Sequence, residues 1–154
     1  MGLIDRQCTF AYEIALLIMK IHDDGYGVRF GDAWRSTDPL AMPNNTAKLS
    51  YQELLLFNGK TKVKYGKHND RLAIDLLISK DNVQISEEDY RKYGEYWEAR
   101  GGVWGGRFGV KTTEYTEKIG WDSNQFSYRD WETDRKSTRL NSSHSGESRM
   151  PSSA

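Results

Sequence analysis

The residues of this chain best suited to chemistry are a histidine and an aspartate, His68 and Asp75, which lie seven positions apart. Apolar side chains alternate from about Arg71 to Ile78, and this alternation predicts a strand. On such a strand Asp75 shares a face with the small Ala73, and His68 can fold back over that face. Imidazole nitrogen and carboxylate oxygen are zinc ligands, so the pair predicts a metal site. The alternative is a surface histidine and an aspartate that pairs with Arg71 or with backbone donors.

Several other elements would have to position these residues. Helical spacing of apolar residues predicts a helix from about Gln7 to Asp24, with Asp5 as its N-cap. A strand is predicted from Gly27 to Trp34. Capping patterns at Ser50 and Ser86 predict a short helix through Leu56 and a longer one to about Arg100. The loop-rich segment from Ser36 to Tyr65, which includes alternate lysines at 60, 62 and 64, is interpreted as a flap over a cleft or as a solvated charged face.

Composition limits the function classes. The 154 residues suit one globular domain, with 37% hydrophobic and 12% aromatic residues. Because the formal net charge is zero, nothing predicts a nucleic-acid partner. The single Cys8 excludes an internal disulfide and a cysteine metal cluster. Neither a secretory signal nor a membrane-spanning run is visible, so we expect cytoplasmic synthesis and no membrane insertion.

The segment His-x-x-Arg-Leu-Ala-Ile-Asp-Leu at 68–76 resembles the first metal motif of a family of zinc peptidases. The family comprises D-alanyl-D-alanine carboxypeptidases and phage L-alanyl-D-glutamate endolysins. The resemblance covers roughly Phe10 to Tyr128. Gly31 to Arg35 is similar to the family's Gly-x-x-x-Arg segment, and Trp104-Gly105-Gly106 is similar to its Trp-Gly-Gly segment. Residues 121–128 stand where the family has Asp-x-x-His followed by a strand.

The resemblance implies a site and a fold. His68, Asp75 and Gln125 would be the metal ligands, with zinc as the cofactor, and Gln125 would occupy the place of the last histidine. Asp122 would be the catalytic general base, and Arg35 would bind the acidic end of the substrate, a stem peptide of peptidoglycan. The implied fold is α+β, a small antiparallel sheet with helices on one side, like that of hedgehog proteins and DD-peptidases. Because residues three apart on a straight strand face opposite ways, the last motif requires a turn or bulge at 123–124.

Two departures from the family pattern keep alternatives open. Gly66 replaces the serine of the first motif, and the amide of Gln125 is a weaker zinc ligand than imidazole. The chain is therefore interpreted as a phage-type endolysin whose activity is weakened by Gln125. It could instead carry a sequence error at that codon, or be a non-catalytic cell-wall-binding relative of the same fold. A structural or assembly protein is the third possibility.

The domain organisation is predicted as a peptidase-like domain at 1–128 and a disordered tail at 129–154. Seven of the last 26 residues are serine, and the tail resembles translated sequencing adapter, so we interpret it as an artefact that replaced the natural end. We expect a monomer that acts on the bacterial cell wall after release from the cell. Without an export signal, it would need a separate membrane-opening partner.

Overall fold

The structure, a computed structural model, describes residues 2–40, 48–59 and 65–129. Three helices lie within them, α1 (Leu3–Asp23), α2 (Tyr51–Phe57) and α3 (Glu87–Ala99). The strands are β1 (Gly27–Phe30), β2 (Ala73–Lys80), β3 (Val83–Gln84), β4 (Val103–Trp104) and β5 (Gln125–Ser127). Parts of the predicted flap, including the lysines at 60, 62 and 64, and the tail beyond residue 129 lie outside the described residues. No helix of the described part is long and apolar enough to cross a bilayer.

The strands form one small antiparallel sheet in the order β1-β2-β5-β4, and β3 also pairs with β2. This architecture confirms the predicted α+β class. The register between β2 and β5 places Ala73 opposite Ser127, Ile74 opposite Phe126, and Asp75 opposite Gln125. Since side chains alternate across a strand, Asp75 and Gln125 share one face of the sheet and Ile74 and Phe126 share the other.

The core lies on the second of these faces. β2 contributes Leu76 and Ile78, which are fully buried, and α1 contributes the equally buried Leu17 and Ile21. The Trp97 ring of α3 makes edge-to-face contacts with Phe10 and Phe126, at centroid distances of 5.9 and 6.1 Å. Helices α1 and α3 therefore cover one face of the sheet and leave the Asp75 face available for a site.

Three element boundaries differ from the sequence prediction. α1 begins at Leu3 with Gly2 at its N-cap, and Asp5 lies in the first turn, where its carboxylate complements the helix dipole. β1 ends at Phe30 because two residues, Gly31 and Asp32, stand opposite Asp75. The Gly31 amide donates to the Asp75 carbonyl at 2.8 Å, and the Asp75 amide donates to the Asp32 carbonyl at 2.9 Å. This bulge directs the chain out of the sheet.

The third difference is the start of β2, which begins at Ala73 because Arg71 has a φ of 60° and belongs to the preceding turn. The two predicted N-caps are confirmed, because Ser50 and Ser86 are the N-cap residues of α2 and α3. Ser50 forms a full capping box with Glu53 at the start of α2, and the Ser86 side chain accepts from the Asp89 amide at the start of α3.

Candidate metal centre and substrate cavity

His68 is held in a turn that precedes β2. The Gly66 amide donates to Asn69 Oδ1 at 2.7 Å, and Asn69 Nδ2 donates to the Arg35 carbonyl at 2.8 Å. The Arg35 amide in turn donates to the His68 carbonyl at 3.2 Å. His68 is 5% exposed, so its ring is fixed by packing as well as by its backbone. These hydrogen bonds join the turn that carries His68 to the loop that carries Arg35, so the two residues are held at a fixed distance from each other.

The imidazole points at the two side chains that face each other across β2 and β5. His68 Nε2 lies 3.1 Å from Gln125 Oε1 and 3.5 Å from Asp75 Oδ1. All three atoms carry lone pairs when the imidazole is neutral and Nε2 is deprotonated. Two donor atoms, from the paired residues of β2 and β5, thus lie within 3.5 Å of the imidazole nitrogen.

The spacing of these donors suits zinc. Ligands bound at about 2.0–2.1 Å in a tetrahedral arrangement are separated by about 3.3 Å. The two measured separations lie on either side of that value. Asp75 Oδ1 is buried without a hydrogen-bond partner among the described residues, and a cation would satisfy it. The described residues contain no group of three or more histidine, cysteine, aspartate or glutamate side chains that could hold a metal. In the set formed by His68, Asp75 and Gln125 the third donor is an amide.

Asp122 lies at the same cavity, in the turn that leads into β5. The Gln125 amide donates to the Asp122 carbonyl at 3.0 Å, and Trp104 Nε1 donates to the Ser123 carbonyl at 2.7 Å. The turn expected at 123–124 is therefore present. Burial, reinforced by the negative charge of Asp75, raises the pKa of Asp122 to about 6, although His68 and Arg35 oppose this rise.

Arg35 lines the cavity from another side. Its side chain is 12% exposed, and its Nε donates to Asp32 Oδ2 at 2.8 Å. The Tyr51 hydroxyl of α2 lies 3.4 Å from Asp32 Oδ1, so this carboxylate joins the arginine to the short helix. The cavity has a volume of about 620 Å³, and its lining includes a buried glutamine of the same helix, Gln52.

All five residues predicted for the site lie around this one cavity: Arg35, His68, Asp75, Asp122 and Gln125. Sequence analysis missed Asp32, which supports Arg35, and the aromatic residues Phe108 and Trp121, which line the cavity. Asp32 lies three residues before Arg35, a spacing that suits a local ion pair. Trp121 directly precedes Asp122, which places a large ring beside the candidate base.

Comparisons with known proteins give little further information. No family model matches the chain, and no curated protein matches it. Among solved structures it is similar to the L-Ala D-Glu endopeptidase ChiX of Serratia marcescens, at 14% identity and a TM-score of 0.47. The match covers 76% of this chain and 78% of that one. A likeness at this level carries no argument about function.

Proposed function

We propose that this chain is a zinc-dependent peptidase that cleaves stem peptides of bacterial peptidoglycan. The observation that carries the proposal is the convergence of His68 Nε2, Asp75 Oδ1 and Gln125 Oε1 within 3.1 and 3.5 Å at a cavity that Asp122 and Arg35 also line. The resemblance of the sequence motifs to endolysins and carboxypeptidases supports the substrate class. Action on the wall after release, as a monomer, belongs to the same proposal.

His68, Asp75 and Gln125 would hold the metal. Zinc bound there would supply Lewis acidity, which polarises a carbonyl and makes water more acidic. Asp122 would accept the proton of the attacking water on its carboxylate and return it to the leaving amine. Without a metal its pKa is about 6, raised mainly by burial, so the group is mostly ionised at neutral pH and can accept a proton. Arg35, already oriented by Asp32, would pair with a substrate carboxylate through its terminal nitrogens.

One observation favours a second candidate, a non-catalytic protein that binds the cell wall. The 3.1 Å contact between His68 and Gln125 is also a good hydrogen bond if Nε2 carries a proton. In that case the amide satisfies Nε2 without a metal, while Nδ1 is buried with no hydrogen-bond partner among the described residues. The cavity could then bind a stem peptide through Arg35 without cleaving it.

The two candidates differ in metal content and in product formation. We would express the full chain, equilibrate it with zinc, count the bound metal, and incubate it with peptides containing an L-Ala–D-Glu or a D-Ala–D-Ala bond. About one zinc per chain and peptide cleavage, detected by mass spectrometry and lost in Asp122→Asn, would support the peptidase. Binding to sedimented peptidoglycan without zinc and without cleavage would support the binding protein.

A further inference from the structure

Two aromatic rings at the cavity have no role in the chemistry proposed above. Trp121 is 60% exposed, although it lines the cavity and directly precedes Asp122. The ring of Phe108 lies beside it, with 5.4 Å between the centroids and an angle of 50° between the planes. We call these two residues the aromatic platform. A large apolar surface left exposed at the edge of a cavity is typical of a ligand contact.

The platform is held by close backbone contacts. The Gly120 amide donates to the Gly106 carbonyl at 2.5 Å, and a Cβ at Gly120 would overlap the Phe108 backbone. A Cβ at Gly105 would likewise overlap the carbonyl oxygen of Asp122. Glycine at these positions lets the two segments touch. The backbone segments that carry the two rings are therefore held close to each other and to Asp122, which reduces the ordering that ligand binding requires.

The chemistry of the surroundings narrows the class of ligand. The platform itself is uncharged, whereas the charged groups of the cavity are more buried, with 12% exposure for the Arg35 side chain and 18% for that of Asp75. Asn124, whose amide can donate and accept hydrogen bonds, also lines the cavity. A pyranose ring has an apolar C–H face that can lie on an aromatic ring and a rim of hydroxyl groups that require polar partners. A pyranose ring therefore matches the uncharged aromatic rings and the neighbouring Asn124 amide better than a charged group does.

We propose that the aromatic platform is a saccharide subsite, which binds the pyranose ring of the sugar that carries the stem peptide. This inference rests on the proposed function, because the sugar is joined to the first residue of the peptide that the cavity would bind. Trp121 and Asp122 are neighbours, so their Cα atoms are about 3.8 Å apart. A sugar on the platform would therefore lie close to the bond that is cleaved, which fits the L-Ala–D-Glu bond beside the sugar and not the D-Ala–D-Ala bond at the far end of the stem.

The test compares a disaccharide-linked stem peptide with the same peptide without sugar. Equilibrium binding would be measured on the full chain in zinc buffer, with Asp122→Asn in every protein so that neither ligand is consumed. We expect the sugar-linked peptide to bind about 3- to 10-fold more tightly, as one stacking contact can contribute. Trp121→Ala should remove this preference and Trp121→Phe should keep part of it. Tyr12→Ala, a matched change at a 44% exposed ring on α1, should leave the preference intact.

Equal affinity of the parent protein for the two ligands would overturn the subsite. So would an equal loss for both ligands in Trp121→Ala, because that result would assign the ring to a peptide side chain. The folding of each variant is checked by circular dichroism, and Phe108→Leu provides an independent change to the platform. A sugar preference that depends on Trp121, found without any cleavage by the chain that retains Asp122, would support the subsite and contradict the peptidase. Cleavage by the parent chain without any sugar preference would support the peptidase and contradict the saccharide subsite.

Discussion

Replacement of Gln125 by histidine tests the metal site directly. Gln125 Oε1 lies 3.1 Å from His68 Nε2, so an imidazole at position 125 can present a nitrogen to the same space. Structural zinc sites bind with about 10–16 kcal/mol, or about 3 kcal/mol for each of four ligands. If a neutral amide oxygen supplies about half of one share, the substitution gains about 1.5 kcal/mol, which is about 10-fold in zinc affinity.

Zinc affinity would be measured by competition with a chromophoric chelator at constant pH. A double-mutant cycle sharpens the result: Gln125→His should gain affinity in the parent chain and lose most of that gain when His68 is changed to alanine, because the two side chains would share one ion. Thr116→His adds an imidazole at an exposed position and should change nothing. Unchanged zinc affinity in Gln125→His would refute the assignment of His68, Asp75 and Gln125 to one metal site.

Three further predictions follow from Asp122, Gly105 and Asp32. Burial raises the Asp122 pKa to about 6, so the folded state holds the proton of this carboxyl more tightly than the unfolded state does. The stability that this proton contributes is fully present below about pH 4 and is lost as the pH rises through 6. In chelator, Asp122→Asn should therefore raise the free energy of unfolding at pH 8 by about 1 kcal/mol, after allowance for partial exposure, and by almost nothing at pH 4. Urea denaturation at the two pH values checks this prediction. Glu117→Gln, at an exposed position, is the control, and its effect on the free energy of unfolding should not change between pH 4 and pH 8. Gly105→Ala should cost about 2 kcal/mol in the same assay, since its Cβ would overlap a backbone oxygen, whereas a loss within experimental error would contradict the packing. Asp32→Asn should raise KM for a stem peptide about fivefold with little change in kcat, because it removes the charge that orients Arg35; an equal fall in kcat would argue against a positioning role.

Much of the fold was predictable because local patterns and packing agree. The alternation that predicted β2 places Leu72, Ile74, Leu76 and Ile78 in the core, and the capping residues Ser50 and Ser86 begin the helices α2 and α3. The errors fall at element ends, where the backbone departs from regular geometry. The bulge opposite Asp75 and the positive φ of Arg71 depend on pairing between distant segments, which periodicity in one segment does not contain.

The candidate site was predictable only in part, for a similar reason. The motifs supplied the residues, and the register between β2 and β5 brought Asp75 and Gln125 face to face. The three-residue spacing of Asp32 and Arg35 indicated a local ion pair, but not that the pair would line the cavity. The sequence could not show that Trp121 remains exposed at the cavity, because that exposure depends on how distant segments pack. The assignment of ligands and of a general base stays a prediction, because it depends on a bound metal and on turnover.

The measurement that tests the central claim most directly is anomalous diffraction at the zinc edge from crystals of the full chain grown with zinc. The account predicts one peak per chain, in contact with His68 Nε2, Asp75 Oδ1 and Gln125 Oε1. Zinc bound elsewhere on the chain, or a His68–Gln125 hydrogen bond that persists with no peak beside it, would contradict the account.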